Sequence, residues 1–314
     1  MGEQSWQDRV LGWVGTDEPE AARAKLRSIR RLVLVTIACE GWLALRYVPY
    51  RSHAGAYGLV AAALGVCAIF GWRERFARPS EWAAMLLLLG VVISVFPDNA
   101  NHQYLALLLL GLALLAGPQG AHLRVEGGRG AEDAVERTRN AVAALQAMRW
   151  IAAIGVFWAG VMKLYYGYWL GGEFLAFRVA NDPDFTLVLG PLVPEGELER
   201  LLGLGMEVGA GPYRPVAPLL VVVSNLTWLG EVVLPCLLLW RRTRTAAMVA
   251  TILLFVAIQL GAREVFFGGL MVGLLLLYAR RDRVAAALPW IAGVYVFWLL
   301  RPEWTRWLEG GQGG

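Results

Sequence analysis

About nine stretches of some 16 to 22 residues in this chain are almost wholly apolar, and each is bounded by charges, glycines or prolines. A run of that length matches the roughly 20 residues that an α-helix needs to cross the ~30 Å hydrocarbon core of a bilayer. In lipid every backbone N–H and C=O must be satisfied internally, so helices and closed barrels are the spanning forms. Barrel strands would alternate apolar and polar residues over about ten positions, and the sequence does not. With 57% hydrophobic and 17% charged residues over 314 positions, the chain is far from the composition of a soluble domain. The expected fold is all-α, a polytopic transmembrane helical bundle.

The spans are read at 32–50, 55–71, 81–96, 103–118, 148–166, 215–239, 245–260, 265–279 and 284–300. Arginine and lysine gather before the first span (Arg23, Lys25, Arg27, Arg30, Arg31) and after the second (Arg73, Arg75, Arg78). They gather again after the fourth (Arg124, Arg129, Arg137, Arg139), the sixth (Arg241, Arg242, Arg244) and the eighth (Arg280, Arg281, Arg283). All these loops fall on one side, which the positive-inside bias makes cytoplasmic. The N-terminus is then cytoplasmic, the C-terminus extracytoplasmic, and the expected location a bacterial cytoplasmic membrane. The net charge of +4 is explained by these loops, so lipid, and not nucleic acid, is the expected partner.

Three regions follow: a cytoplasmic segment 1–31, a transmembrane domain 32–300 and a short tail 301–314. The polar first thirty residues are not those of a cleavable signal peptide, and 5–14 has the pattern of an amphipathic surface helix. Residues 119–147 read as a cytoplasmic amphipathic helix feeding the fifth span. Residues 167–212, with glycines, prolines, acids and short apolar runs, read as a re-entrant or interfacial lid on the outer side. Cys39, Cys67 and Cys236 all lie in apolar blocks, which supports neither a disulfide framework nor a zinc site, and no metal is expected.

The residues that most need a reason are the polar ones at membrane depth. Lys163 ends the fifth span, and an ammonium there must snorkel to the surface, lose its proton or find a partner. As a neutral amine in an apolar pocket it would be a base near neutral pH. Tyr165, Tyr166, Tyr168 and Trp169 beside it serve equally as interfacial belt or as pocket wall. His102 lies in the segment 97–104, whose Asp98, Asn99 and Asn101 are also N-cap candidates for the fourth span. His102 is either a helix-start residue near water or an imidazole oriented toward a substrate oxygen. Glu40 and Glu231 are deep in the first and sixth spans, where a carboxylate needs a cation, several donors or a proton. Gln259 and Arg263, at i and i+4, can place two donors at the outer end of the seventh span. On this topology the 98–102 cluster, Lys163, the 167–212 loop and the 261–264 turn share the outer side, which makes one outward-facing site the expectation. No G-x-S-x-G elbow, P-loop or H-E-x-x-H motif occurs, so hydrolases and nucleotide-driven pumps are demoted.

Three segments in order carry a resemblance: Asn101-His102-Gln103-Tyr104-Leu105, then Ala159-Gly160-Val161-Met162-Lys163-Leu164 followed by Trp169 and Gly172, then 255–269. They resemble the transmembrane domain of vitamin K-dependent gamma-carboxylases and the related bacterial HTTM proteins, over roughly residues 30–300. The resemblance implies that Lys163 is the base that deprotonates reduced vitamin K or another quinol, and that His102 supports that chemistry. Asn101, Tyr104, Trp169, Glu231, Gln259 and Arg263 become the candidate cofactor-binding residues. In that family the oxygenated quinol removes a γ-proton from a substrate glutamate, to which carbon dioxide adds. Two departures stand out. The carboxylases continue into a large extracytoplasmic domain where this sequence has about fourteen residues after its last span. Their seventh-span histidine aligns with Gln259.

Three functions are thus expected to compete. The first is a membrane enzyme in which Lys163 activates a quinol, and the second is a non-carboxylating maturation or binding protein that grips a secreted peptide with 167–212. The third is a proton-coupled transporter using Glu40 and Glu231, which the lack of an inverted repeat ranks last.

Overall fold

A computed structural model describes residues 17–47, 54–95, 101–116, 129–204, 206–207, 209–262 and 264–310, and among the described residues every regular element is helical. The helices are α1 Pro19–Tyr47, α2 Ala54–Gly71, α3 Glu74–Val95, α4 Asn101–Leu115 and α5 Arg129–Tyr166. They continue with α6 Glu173–Asn181, α7 Pro183–Leu189, α8 Glu195–Gly203, α9 Pro218–Leu239, α10 Arg244–Ala262, α11 Val265–Leu276 and α12 Arg283–Gly310. The larger part of each span read from the sequence lies on one of these helices. Five segments are long and apolar enough to cross a membrane: Phe76–Ile93 in α3, Thr138–Tyr166 in α5, α9, α10 and Arg283–Leu300 in α12. Leu59–Gly71, His102–Leu115 and Val265–Leu276 are shorter apolar helices. No more than half of any of the five long segments is buried, and Leu226, Leu253, Trp158 and Trp290 stand out from them exposed. Long helices with outward apolar faces are consistent with an integral membrane protein. The amphipathic segment 5–14 lies outside the described residues.

The chain divides into two compact units, Met1–Arg149 with Val265–Gly314, and Trp150–Glu264, where the sequence reading has one domain from 32 to 300. The division passes through α5. Its 38 residues join the predicted amphipathic segment to the predicted span without a break, because no proline interrupts the run from 131 to 166.

In the first unit α1 packs against α2, α4, α11 and α12. Gly41 permits the close approach to α2, since a Cβ there would lie 3.1 Å from the Cα of Ala61. Leu26, Ile29, Leu32 and Ile37 recur on one face of α1 and are fully buried. Polar residues brace this unit from inside. Arg30 of α1 pairs with Glu81 of α3, both buried. Lys25 and Arg149, 0% and 3% exposed, converge on Asp17: Lys25 Nζ donates to Asp17 Oδ1 at 2.7 Å, and Arg149 Nη2 pairs with Oδ2. Both cations also donate to carbonyls past the end of α11, Lys25 to Leu277 and Ala279 and Arg149 Nε to Leu277 at 3.0 Å. Burial pushes the Lys25 amine below the ordinary lysine range, and the hydrogen bond to Asp17 works against it.

The second unit holds the C-terminal part of α5 and α6 to α10. The expected lid 167–212 is a folded cap with a core of its own. Leu175, Ala176 and Val179 of α6, Phe185 of α7 and Leu201 of α8 are buried with Tyr213, Ala217 and Leu220. Asp182 caps α7 by accepting from the Asp184 N–H at 3.0 Å, with Pro183 at the first helical position, the arrangement expected of a helix start. Gly261 of α10 takes the ring of Phe185, which would lie 2.9 Å from a Cβ there. Of the short apolar runs that suggested a lid, Leu175, Ala176 and Val193 face this core, whereas Leu187 and Leu192 are exposed.

Candidate functional site

The site forms where α5 ends against α9. Gly160 and Lys163 lie three residues apart and so share a helix face. At Gly160 the missing side chain lets α9 come close: a Cβ would lie 2.8 Å from Val232 Cγ2 and 3.0 Å from both Glu231 Cβ and the Trp228 carbonyl oxygen. One turn further on, Lys163 Nζ donates to both carboxylate oxygens of Glu231, at 2.7 Å to Oε1 and 2.6 Å to Oε2. The side chains are 18% exposed for Lys163 and 4% for Glu231, so the lysine is the accessible end of the pair.

A short loop closes over it. α5 stops at Gly167, whose φ of 75° is one that glycine adopts without cost, and whose N–H bonds to the Lys163 and Leu164 carbonyls. The chain then turns back so that the Trp169 ring centroid lies 4.8 Å from Lys163 Nζ, within cation–π range. Trp169 is stacked on Phe174 at 4.5 Å. Two α9 side chains pin this loop: Ser224 Oγ donates to the Trp169 carbonyl at 2.6 Å, and Asn225 Nδ2 to that of Leu170 at 3.0 Å. Gly172, with φ 83°, backs closely onto Pro215 and Val221, 3.1–3.2 Å from where a Cβ would lie. An ammonium, a carboxylate and an indole face are thereby held together, a set that can store a proton and present a flat apolar wall.

The sequence reading expects Lys163 and His102 to form one site. Lys163 belongs to the second unit and His102 to the first, and each meets a glutamate of its own unit. His102 Nε2 is 3.1 Å from Glu40 Oε1, and its ring lies 5.7 Å from that of Phe266. Tyr104 is 41% exposed on α4. Gln259 is half-buried on α10, with its Oε1 buried and lacking a hydrogen-bond partner among the described residues. Asn101 begins α4, but its side chain, like Arg263, Asp98 and Asn99, lies outside the described residues.

Sequence reasoning named Glu231 as a supporting group but missed its direct pairing with Lys163. It also missed Ser224 and Asn225 as loop anchors, and Glu40 as the partner of His102. The signals were present as opposite charges isolated in apolar blocks and a glycine one turn before Lys163. Among the described residues no cluster of three or more His, Cys, Asp and Glu side chains is placed to hold a metal. Compared with family models, with curated proteins and with solved structures, the chain finds no match.

Proposed function

We propose that this chain is a nine-span protein of a bacterial cytoplasmic membrane, N-terminus inside, in which Lys163 and Glu231 act as a proton-holding base toward a bilayer-borne quinol. The observation that carries the reading is the Lys163–Glu231 contact of 2.6–2.7 Å beneath an indole. Ionisable residues inside membrane segments are costly and mark proton or ligand sites. The exposed aromatics Tyr165, Tyr166 and Tyr168 at one end of α5, with Trp240 at the end of α9, suit interfacial belts. The likeness of the segments around His102 and Lys163 to the vitamin K-dependent carboxylase and HTTM family supplies the quinol.

The residues present fit such a group. Two of the three Lys163 N–H donors go to Glu231, which leaves one for a ligand oxygen, and Trp169 shields the ammonium on one side. A reduced vitamin K-type quinol, when bound, supplies an oxygen-reactive ring. Lys163 and Glu231 hold one proton between them, on Nζ as an ion pair or on the carboxyl as a neutral pair. In the neutral pair, with the carboxyl hydrogen turned away from Nζ, the amine takes a proton from a hydroxyl within reach. The pair then holds both protons, an ammonium beside a neutral carboxyl, and the ammonium offsets the negative charge left on the ligand oxygen.

The test is oxygen-dependent consumption of a reduced naphthoquinone by the full chain in proteoliposomes. Lys163→Ala is expected to abolish consumption while the protein still inserts and elutes as a folded species. An unchanged rate in that variant would remove the reading. A second reading, a binding or maturation protein for a secreted peptide, is favoured by a surface groove of about 460 Å³ on the cap, lined by Asn181, Asp182, Pro183, Thr186, Leu187 and Leu202. Co-purification of a peptide that is lost on Leu187→Asp and indifferent to quinol would favour it.

A further inference from the structure

The first unit contains a second ionisable cluster. Glu40 of α1 and His102 and Gln103 of the first turn of α4 meet half-buried. Glu40 Oε1 accepts from Gln103 Nε2 at 2.5 Å and lies 3.1 Å from His102 Nε2. Glu40 Oε2 and Gln103 Oε1 are buried and have no hydrogen-bond partner among the described residues. Phe266 of α11 lies beside the imidazole ring, tilted at 48°.

The two nitrogens of a neutral imidazole are distinct, one a donor and one an acceptor, and the partner of one decides the role of the other. Opposite a carboxylate, which only accepts, the nitrogen that carries the hydrogen is the one 3.1 Å from Glu40. The Gln103 amide, donating to the same oxygen, holds the carboxylate in place. We propose that Glu40 and Gln103 are positioning residues that fix His102 in its Nε2–H form, so that Nδ1 is the nitrogen that accepts a hydrogen bond or a proton from a ligand. With Nε2–H taken, the cluster's remaining groups at this point are acceptors: Nδ1, Glu40 Oε2 and Gln103 Oε1. Buried acceptors left in this state need donors, so the group received here is one that brings O–H or N–H bonds. This rests on the first unit alone and stands whether or not Lys163 acts as a base.

The experiment is nitrogen NMR of the full chain in lipid nanodiscs, labelled with ¹⁵N-histidine, at about pH 9, where imidazoles of ordinary pKa near 6.5 are neutral. The chain has three histidines, and His102→Gln assigns the signal of interest by its loss. The wild-type protein is expected to show His102 at the limiting shifts of a single tautomer, Nε2 protonated and Nδ1 bare. In Glu40→Met, which keeps the length and removes the carboxylate, those shifts are expected to move toward the average of two exchanging tautomers. A wild-type spectrum with Nδ1 protonated overturns the proposal without recourse to any variant. Limiting Nε2–H shifts that survive in Glu40→Met overturn it too, because the ring would then be fixed by something other than this carboxylate.

Discussion

Breaking the Lys163–Glu231 pair from its two ends should have unequal costs. At 2.6 Å and an effective dielectric of about 20, the attraction between the charges is about 6 kcal/mol. Removing both charges from water costs several kcal/mol for each, so the pair as a whole contributes little net stability. Its parts do not. Lys163→Met strands Glu231, only 4% exposed, and is expected to cost about 3–5 kcal/mol, the usual penalty for an uncompensated buried charge. Glu231→Gln strands a lysine that is 18% exposed on a flexible stem beside Trp169. It can turn toward the interface, so the cost falls to about 1.5–3 kcal/mol, that of a lost charged hydrogen bond. The double variant Lys163→Met with Glu231→Gln leaves neither charge stranded and should recover about 2–3 kcal/mol of the summed loss, which is the coupling energy of the pair. Equilibrium unfolding in mixed micelles, followed by tryptophan fluorescence, measures all four corners of the cycle. Equal effects of the single variants, or a coupling near zero, would refute the claim that the two side chains neutralise one another in a sheltered site. The same double variant separates structure from chemistry, since under the proposed function it is stable and yet consumes no quinol.

Asp17→Asn removes the carboxylate that pairs with both Lys25 and Arg149 in the buried knot of the first unit; a loss of about 3 kcal/mol is expected in the same assay, and an unfolding midpoint within error of wild type would contradict it. Gly160→Val places a branched side chain where even a Cβ meets Val232, Glu231 and Trp228; overpacking of about 1–3 kcal/mol should come with loss of the Lys163–Glu231 coupling in a repeated double-mutant cycle. Gly172→Ala, strained at φ 83° and 3.1 Å from Pro215, should destabilise the cap and increase its proteolysis, whereas Gly196→Ala, with open space around it, should be neutral or stabilising by about 0.5–1 kcal/mol. For topology, single cysteines at Arg137 and Arg242 should resist impermeant maleimide in intact cells while one at Glu195 reacts; labelling of all three, or of none, would overturn the orientation.

How far the chain could be read in advance depended on the range of the forces involved. The apolar blocks fall on helices because a run such as 218–239 has one way to satisfy its backbone in lipid, and that information is local. So is the stop at Gly167 and the start at Asp182-Pro183. The cap was harder: α6 spans nine residues, and three buried positions in nine are too few for a helical period to stand out from a loop. The long α5 was divided in two because its charged and apolar halves differ in composition, although composition does not end a helix and no breaker lies between them.

Pairing was the least local matter, yet the choices were few. Within the predicted spans the acids are Glu40, Glu81 and Glu231, and the cations Arg46, Arg149 and Lys163. Glu81 and Arg149 sit at span ends among the basic loops, which leaves Lys163 with two acidic candidates, Glu40 and Glu231. A buried charge without a partner is so costly that one of them had to serve, be protonated or find other donors. Gly160, one turn before the lysine, indicates that another helix comes close on that face, though not which. That last bit came from packing: Trp228, Glu231 and Val232 present one face of α9 to the gap at Gly160, 68 residues along the chain from Lys163 to Glu231. Glu40 is then left to the imidazole and amide of α4, which explains why a histidine and a glutamine, and no lysine, open that helix. The two glutamates are therefore not interchangeable: with His102→Lys a charged amine still pairs with Glu40 but offers no lone pair to a ligand, and with Lys163→His an imidazole on its shorter stem leaves Glu231 without its cation.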